Sequence, residues 1–165
     1  MRNYLIPYVH LNEQWFKDIV DCQREIRYLS NGRYKANPRY ERSWWLHIPK
    51  WIREDWLSRP VENCIDVGCG FGTLALYCKR LLNCSVYCID FKEILSPLLA
   101  KKYGIKFSLT NFEIEPFPWN LNFDIIVFTE ILEHLNFHPA PTLSHLRNIL
   151  SRNGKLYLST PDAAQ

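Results

Sequence analysis

The stretch Asn63-Cys64-Ile65-Asp66-Val67-Gly68-Cys69-Gly70-Phe71-Gly72 decides how the rest of the chain is read. Residues 63–67 are a short apolar run of strand length. Three glycines at alternate positions then allow a sharp turn and a close approach of backbone to a ligand. Thr73–Leu82 follows as a helix. Downstream the same alternation continues: Ser85–Asp90 as a strand, Glu93–Lys102 as a helix and Ile105–Leu109 as a third strand. A loop over 111–122 is broken by Pro116 and Pro118. Phe123–Phe128 is strand four, Thr142–Leu150 a helix stopped by Gly154, and Lys155–Ser159 strand five. Strands alternating with helices predict an α/β, Rossmann-like parallel sheet covered on both faces. Right-handed crossovers with a reversal after strand three give the order 3-2-1-4-5.

Working outward, residues 1–60 differ in pattern and read as an N-terminal helical cover, with 61–165 as the sheet-forming core of one compact unit. Trp15, Ile19, Cys22, Ile26 and Leu29 share one face of a helix over 11–30. A polar loop over 31–39 leads to a second helix, about 40–57, with Trp44, Ile48, Trp51 and Ile52 on one face. Pro49 should kink or split that helix.

The 165 residues are 47% hydrophobic with a formal charge of +3, the profile of a globular domain rather than a disordered chain. No apolar run approaches the roughly 18 residues of a membrane span. Pro7, His10 and Asn12 interrupt the apolar N-terminus, so no signal peptide and a cytoplasmic location are expected. The six cysteines, Cys22, Cys64, Cys69, Cys78, Cys84 and Cys88, fit reduced thiols in core elements better than disulfides or a zinc site. Residues 1–60 carry 11 Lys+Arg against 7 Asp+Glu, an excess too small to predict nucleic-acid binding by itself.

In open parallel sheets the ligand sits beyond the carboxyl ends of the strands, where the order reverses. That point is the end of strand one. The loop is G-x-G-x-G rather than the G-x-G-x-x-G of a dinucleotide site, and Asp66 would repel phosphates there. A ligand carrying an amino group suits Asp66. Asp90, ending strand two, can take both hydroxyls of a ribose, and Phe91 can lie against an adenine face. Those three features describe S-adenosylmethionine.

The chain resembles the class I S-adenosylmethionine-dependent methyltransferases. The matching segments are IDVGCGFG (65–72), VYCID (86–90), TNFEIEPFPW (110–119), FDIIVFTEILEHL (123–135) and LRNILSRNGKLYLSTPD (146–162). The resemblance implies that Gly68, Cys69, Gly70 and Gly72 surround the methionine moiety and that Asp66 meets the amino group, directly or through water. It also implies that Asp90 holds the ribose, that Asn111 with Phe112 recognises the adenine, and that Phe128 and Thr129 face the sulfonium side.

Glu130-Ile131-Leu132-Glu133-His134 supplies the candidate acid–base groups. His134 and Glu130 are the expected catalytic pair. If the stretch turns helically, Glu130, Glu133 and His134 share a face able to hold a divalent cation such as magnesium. This segment is similar to the E-x-x-E-H stretch of ubiquinone-pathway O-methyltransferases and small-RNA 2′-O-methyltransferases. The expected reaction is O-methylation of a small-molecule or glycan-type acceptor, because no motif for DNA, protein-lysine or N-methylation is visible: Phe128-Thr129-Glu130-Ile131 stands where an N-P-P-[FY] or D-P-P-[FY] tetrapeptide would follow strand four. The alternatives are a non-catalytic S-adenosylmethionine-binding subunit that needs a partner and an RNA 2′-O-methyltransferase-like enzyme. The family sheet has two further strands. Without them the sheet edge is truncated at strand five: in a fragment the missing strands would cover it, and in a natural short form it would pair with a second copy or with a partner protein.

Overall fold

The computed structural model describes residues 13–34 and 47–161. Five strands form one sheet in the predicted order β3-β2-β1-β4-β5. They are β1 (Asn63–Val67), β2 (Ser85–Asp90), β3 (Lys106–Leu109), β4 (Phe123–Thr129) and β5 (Leu150–Ser159). All four pairings are parallel, with Asp66 of β1 opposite Cys88 of β2 and Val127 of β4. The described helices are α1 (Gln14–Leu29), α2 (His47–Trp56), α3 (Thr73–Leu82), α4 (Pro97–Tyr103) and α5 (Pro139–Ile149), with a single 3-10 turn over Leu132–His134.

The period of two along each strand divides the core between the two faces of the sheet. Cys64, Val86, Cys88, Ile125, Val127 and Tyr157 meet α1, α2 and α3 on one face. Ile65, Val67, Tyr87, Ile89, Ile126 and Phe128 meet Leu146 of α5 on the other, together with Phe112 from the loop after β3. Trp15, Ile19, Cys22 and Ile26 of α1 are buried in the first cluster, as their spacing predicts. All six cysteines are buried free thiols.

The N-terminal helices are held to the sheet by polar bonds as well as by packing. Trp56 Nε1 donates to the Tyr157 hydroxyl at 2.8 Å, and that hydroxyl donates to Asp55 Oδ2 at 2.6 Å. Lys155 closes the set by pairing with the other oxygen of Asp55. Burial pushes the Asp55 carboxyl up, but the bonds from Lys155 and Tyr157 outweigh it and leave it below its ordinary value. The Tyr77 hydroxyl of α3 donates to the Pro49 carbonyl at 3.0 Å.

Several local expectations are corrected. The second core helix starts at Pro97, not Glu93, because proline lacks an N–H and suits the first helical turn. Strand three starts at Lys106 rather than Ile105, and the helix expected over 142–150 starts at Pro139 for the same reason as at Pro97. Strand five starts at Leu150, so Gly154 lies inside it rather than ahead of it. Between Phe123↔Leu150 and Ile125↔Lys155, β5 carries three more residues than β4. Trp51 does not join the buried face of α2: it is 47% exposed and stacks on His47 at 5.9 Å, while Ile48, Ile52 and Trp56 are buried at intervals of four. Pro49 falls in the first turn of α2 as described, a position where proline is tolerated.

Residues 35–39 of the polar loop, and the part of the expected helix over 40–46 that includes Trp44, lie outside the described residues. Among the described residues no helix is long and apolar enough to cross a membrane.

Candidate active site

The glycine turn leaves β1 beside the end of β2. Gly68 and Cys69 both donate to the Ile89 carbonyl, at 2.8 and 3.2 Å, and Gly72 donates to the Cys69 carbonyl at 2.8 Å. Gly68 and Gly70 adopt φ +74° and +51°, backbone conformations that a Cβ disfavours. The two differ in surroundings. A Cβ on Gly68 would lie 2.3 Å from Ile131 Cδ1, whereas a Cβ on Gly70 would meet nothing within 4 Å. Gly68 is closed by the chain beyond β4, and Gly70 faces open space.

The two acidic residues expected here take different positions. Asp66 is 3% exposed, and its Oδ2 accepts the Ala75 N–H of α3 at 3.1 Å. It is thus tied to the first turn of α3, where a negative charge is favoured by the helix dipole. Asp90 accepts the Gly70 N–H on Oδ2 at 2.9 Å and the Lys92 N–H on Oδ1 at 3.0 Å. A carboxylate has about four acceptor positions, so these two bonds leave capacity for a diol. Phe91 follows with 58% of its surface exposed and the Lys92 ammonium 4.9 Å from its ring centroid. An open glycine face, a carboxylate with spare acceptor capacity and an exposed ring therefore sit together beyond β1 and β2. They fit an adenosyl amino acid.

The loop after β3 contributes a different kind of group. Phe112 is buried edge-on against Phe128, with ring centroids 6.1 Å apart. Both rings belong to the core, so any ligand would meet their backbone rather than their faces. Asn111 Oδ1 accepts the Glu113 N–H at 3.2 Å, which shapes the turn. Thr129 ends β4 half-buried.

Beyond β4 the expected helical face does not form. Glu130 takes φ +56°, which breaks the repeat before it starts. A left-handed non-glycine residue costs about 1–2 kcal/mol. Two bonds to β5 offset it: Glu130 N–H to the Ser159 carbonyl at 3.0 Å, and Ser159 Oγ to Glu130 Oε1 at 2.7 Å. Burial pushes the Glu130 carboxyl above its ordinary value, with the Glu133 charge adding to it against the Ser159 bond. Glu133 accepts from the Thr160 hydroxyl at 3.2 Å, and its Oε1 lies 3.7 Å from His134 Nε2. The His134 side chain is 69% exposed. Glu130 and Glu133 bond to Ser159 and Thr160, at and just beyond the end of β5, and among the described residues no group of three His, Cys, Asp or Glu side chains is arranged to hold a metal.

Spacing in the sequence missed Ser159 and Thr160 as partners of the two glutamates, Ile131 as the side chain over Gly68, and Glu113. Glu113 accepts from the Asn136 N–H at 2.8 Å, the Phe137 N–H at 3.1 Å and Asn136 Nδ2 at 2.9 Å.

A parallel sheet in this order, with the glycine turn at its switch point and a carboxylate ending β2, is the architecture of a class I S-adenosylmethionine-dependent methyltransferase domain. The sequence bears this out. Residues 22–165 match the methyltransferase-domain family, and the chain belongs to that family. No curated protein matches it at a significant level. Among solved structures it is similar to the N-methyltransferase NodS from Bradyrhizobium japonicum, in complex with S-adenosyl-L-homocysteine. That match has a TM-score of 0.55 and 21% identity, and covers 86% of this chain and 71% of that one. Coclaurine N-methyltransferase, bound to N-methylheliamine and S-adenosylhomocysteine, gives a TM-score of 0.58 at 14% identity over 88% of this chain and 50% of its own. An S-adenosylmethionine-bound amino pentose methyltransferase from Micromonospora echinaspora, involved in calicheamicin biosynthesis, gives 0.54 at 16% identity over 94% and 54%. At these identities the likeness is one of fold, and this chain spans between about half and three quarters of the length of such relatives.

Proposed function

We propose that this domain binds S-adenosylmethionine and transfers its methyl group to a hydroxyl of a small-molecule or glycan-type acceptor. The observation that carries the reading is the Asp90 carboxylate, bonded to the Gly70 N–H beside the open face of the glycine turn. Asp90 would hold the ribose, Phe91 would lie on the adenine, and the turn over Gly68, Cys69, Gly70 and Gly72 would carry the methionine end. Asp66 would reach the amino group through water, since its carboxylate is tied to α3. Asn111 and the backbone of Phe112 would bond the adenine edge. The backbone ends of Phe128 and Thr129 would face the sulfonium. When bound, the cofactor supplies an activated methyl group on a good leaving group.

The protein's remaining task is to align the acceptor and take its proton. His134 is the exposed base at the carboxyl end of β4, and Glu133 beside it would stabilise the imidazolium once the proton arrives. Glu130 anchors this segment to β5 and would shape the acceptor pocket from below. The contact of Tyr34 with Phe71, ring centroids 4.8 Å apart, supports an N-terminal cover reaching the glycine turn.

A second reading, transfer to an amine, is favoured by the likeness to NodS and coclaurine N-methyltransferase, both N-methyltransferases. The test is S-adenosylhomocysteine release with panels of hydroxyl and amine acceptors, for the wild type and His134→Ala. Hydroxyl acceptors are expected to turn over, with His134→Ala lowering kcat about 100-fold at unchanged affinity for S-adenosylhomocysteine. Turnover of amines alone, indifferent to His134, would replace the first reading with the second. Cofactor binding without turnover of either panel would point to a non-catalytic subunit.

A further inference from the structure

We infer that Glu113 is a positioning residue that couples the cofactor-side loop after β3 to the acceptor-side loop after β4. The inference rests on the reading of the site given above.

Asn111–Glu115 is a tight turn: the Ile114 and Glu115 N–H groups both donate to the Asn111 carbonyl, at 3.1 and 2.8 Å. Phe112 pins this turn to the core through Phe128. The Glu113 side chain leaves the turn in the other direction and spends both carboxylate oxygens on residues 23 and 24 positions away. Oε2 takes the backbone N–H groups of Asn136 and Phe137, and Oε1 takes the Asn136 side-chain amide. An ionised acceptor with three donors makes a charge-assisted, multi-point tie that a single neutral bond would not match.

The position of the tie gives it a role. Glu130 is fixed to Ser159 at one end of the acceptor-side segment, and Asn136 and Phe137 are fixed to Glu113 at the other. Glu133 and His134 lie between these two anchors. The second anchor stands next to Asn111 and Phe112, the residues assigned to the adenine. A ligand that orders the Asn111–Glu115 turn therefore also orders the far end of the segment carrying His134, without touching it. Occupancy of the cofactor site thereby sets the position of the acceptor-side base.

The test uses amide hydrogen exchange of the whole chain, with and without S-adenosylhomocysteine, beside calorimetry of the same ligand. In the wild type the ligand should slow exchange at Asn136 and Phe137 at least about fivefold. Glu113→Ala should remove that slowing while affinity stays within about threefold. Glu113→Gln, which keeps one acceptor oxygen for the backbone donors, should restore it in part; it also serves if the alanine variant fails to fold. A structural staple alone would speed exchange in Glu113→Ala equally with and without ligand. Equal ligand-linked slowing in wild type and Glu113→Ala would overturn the inference, as would ligand binding with no slowing in the wild type. An absence of binding heat in the wild type would overturn the cofactor reading itself, and the coupling with it.

Discussion

Gly68 and Ile131 share one space: a Cβ on the glycine would lie 2.3 Å from Cδ1 and 2.6 Å from Cγ1 of the isoleucine. The glycine turn after β1 and the segment after β4 are therefore shaped against each other. Gly68→Ala meets both this clash and a left-handed φ, and should lower unfolding free energy by about 2–4 kcal/mol. Gly70→Ala meets only the backbone strain and should cost about 1–2 kcal/mol. The combination Gly68→Ala with Ile131→Ala should be less destabilised than the sum of the two single variants. Urea unfolding of the four proteins measures this; strict additivity would show that the contact does not govern the turn.

Asp90, at the end of β2, should matter more to binding than any residue of the glycine turn. Asp90→Ala removes charge-assisted bonds and should weaken S-adenosylhomocysteine binding by about 1.5–3 kcal/mol. Asp90→Asn keeps an acceptor oxygen and should lose less. Calorimetry decides, with NAD as the control ligand. Tight NAD binding in place of the adenosyl ligand would remove the assignment.

Burial holds the Glu130 carboxyl above its ordinary range, so the folded protein binds this proton more tightly than the unfolded chain. Ionisation at this site therefore opposes folding. The penalty is absent below the unfolded pKa and complete above the folded one. Glu130→Gln should be at least as stable as the wild type at neutral pH, and its advantage should shrink as pH falls through the Glu130 titration. Unfolding free energies measured across pH 4–8 test the sign; a glutamine variant that gains on acidification would contradict it.

The six thiols should behave as one hidden population. Burial pushes Cys22 and Cys84 up to about 12, and Cys64, Cys69 and Cys88 are also raised. The thiolate is the reactive form. A thiol reagent should titrate six groups in denaturant without prior reduction, and should react with the native protein only as fast as it opens. Two or fewer groups in denaturant would indicate disulfides.

The sheet order was legible because β1, β2 and β4 are compact apolar runs and each crossover is constrained in hand. The glycine turn at the switch point was legible because glycines beside carboxylates are a local signal. What escaped the sequence depends on partners distant in the chain. The left-handed turn at Glu130 is held by Ser159, 29 residues later, and without that bond spacing alone predicts a helical face for Glu130, Glu133 and His134. Glu113 reads as one more loop carboxylate until Asn136 and Phe137 are seen to converge on it. Trp51 was misjudged because helical spacing gives a stripe of finite width, and the intervals of four through Ile48, Ile52 and Trp56 leave Trp51 at its margin.

The Trp56–Tyr157 bond also bears on how the chain is made. The two residues are 101 positions apart. At about 5–20 residues per second of synthesis, α2 emerges roughly 5–20 s before the strand that receives it. Until β5 joins β4, the Trp56 indole and the Asp55 carboxylate have no permanent station. Ile48 and Ile52 can pack against α1 and α3 well before then, so the Asp55–Trp56 end of α2 is the part of the N-terminal layer that completes its bonds last.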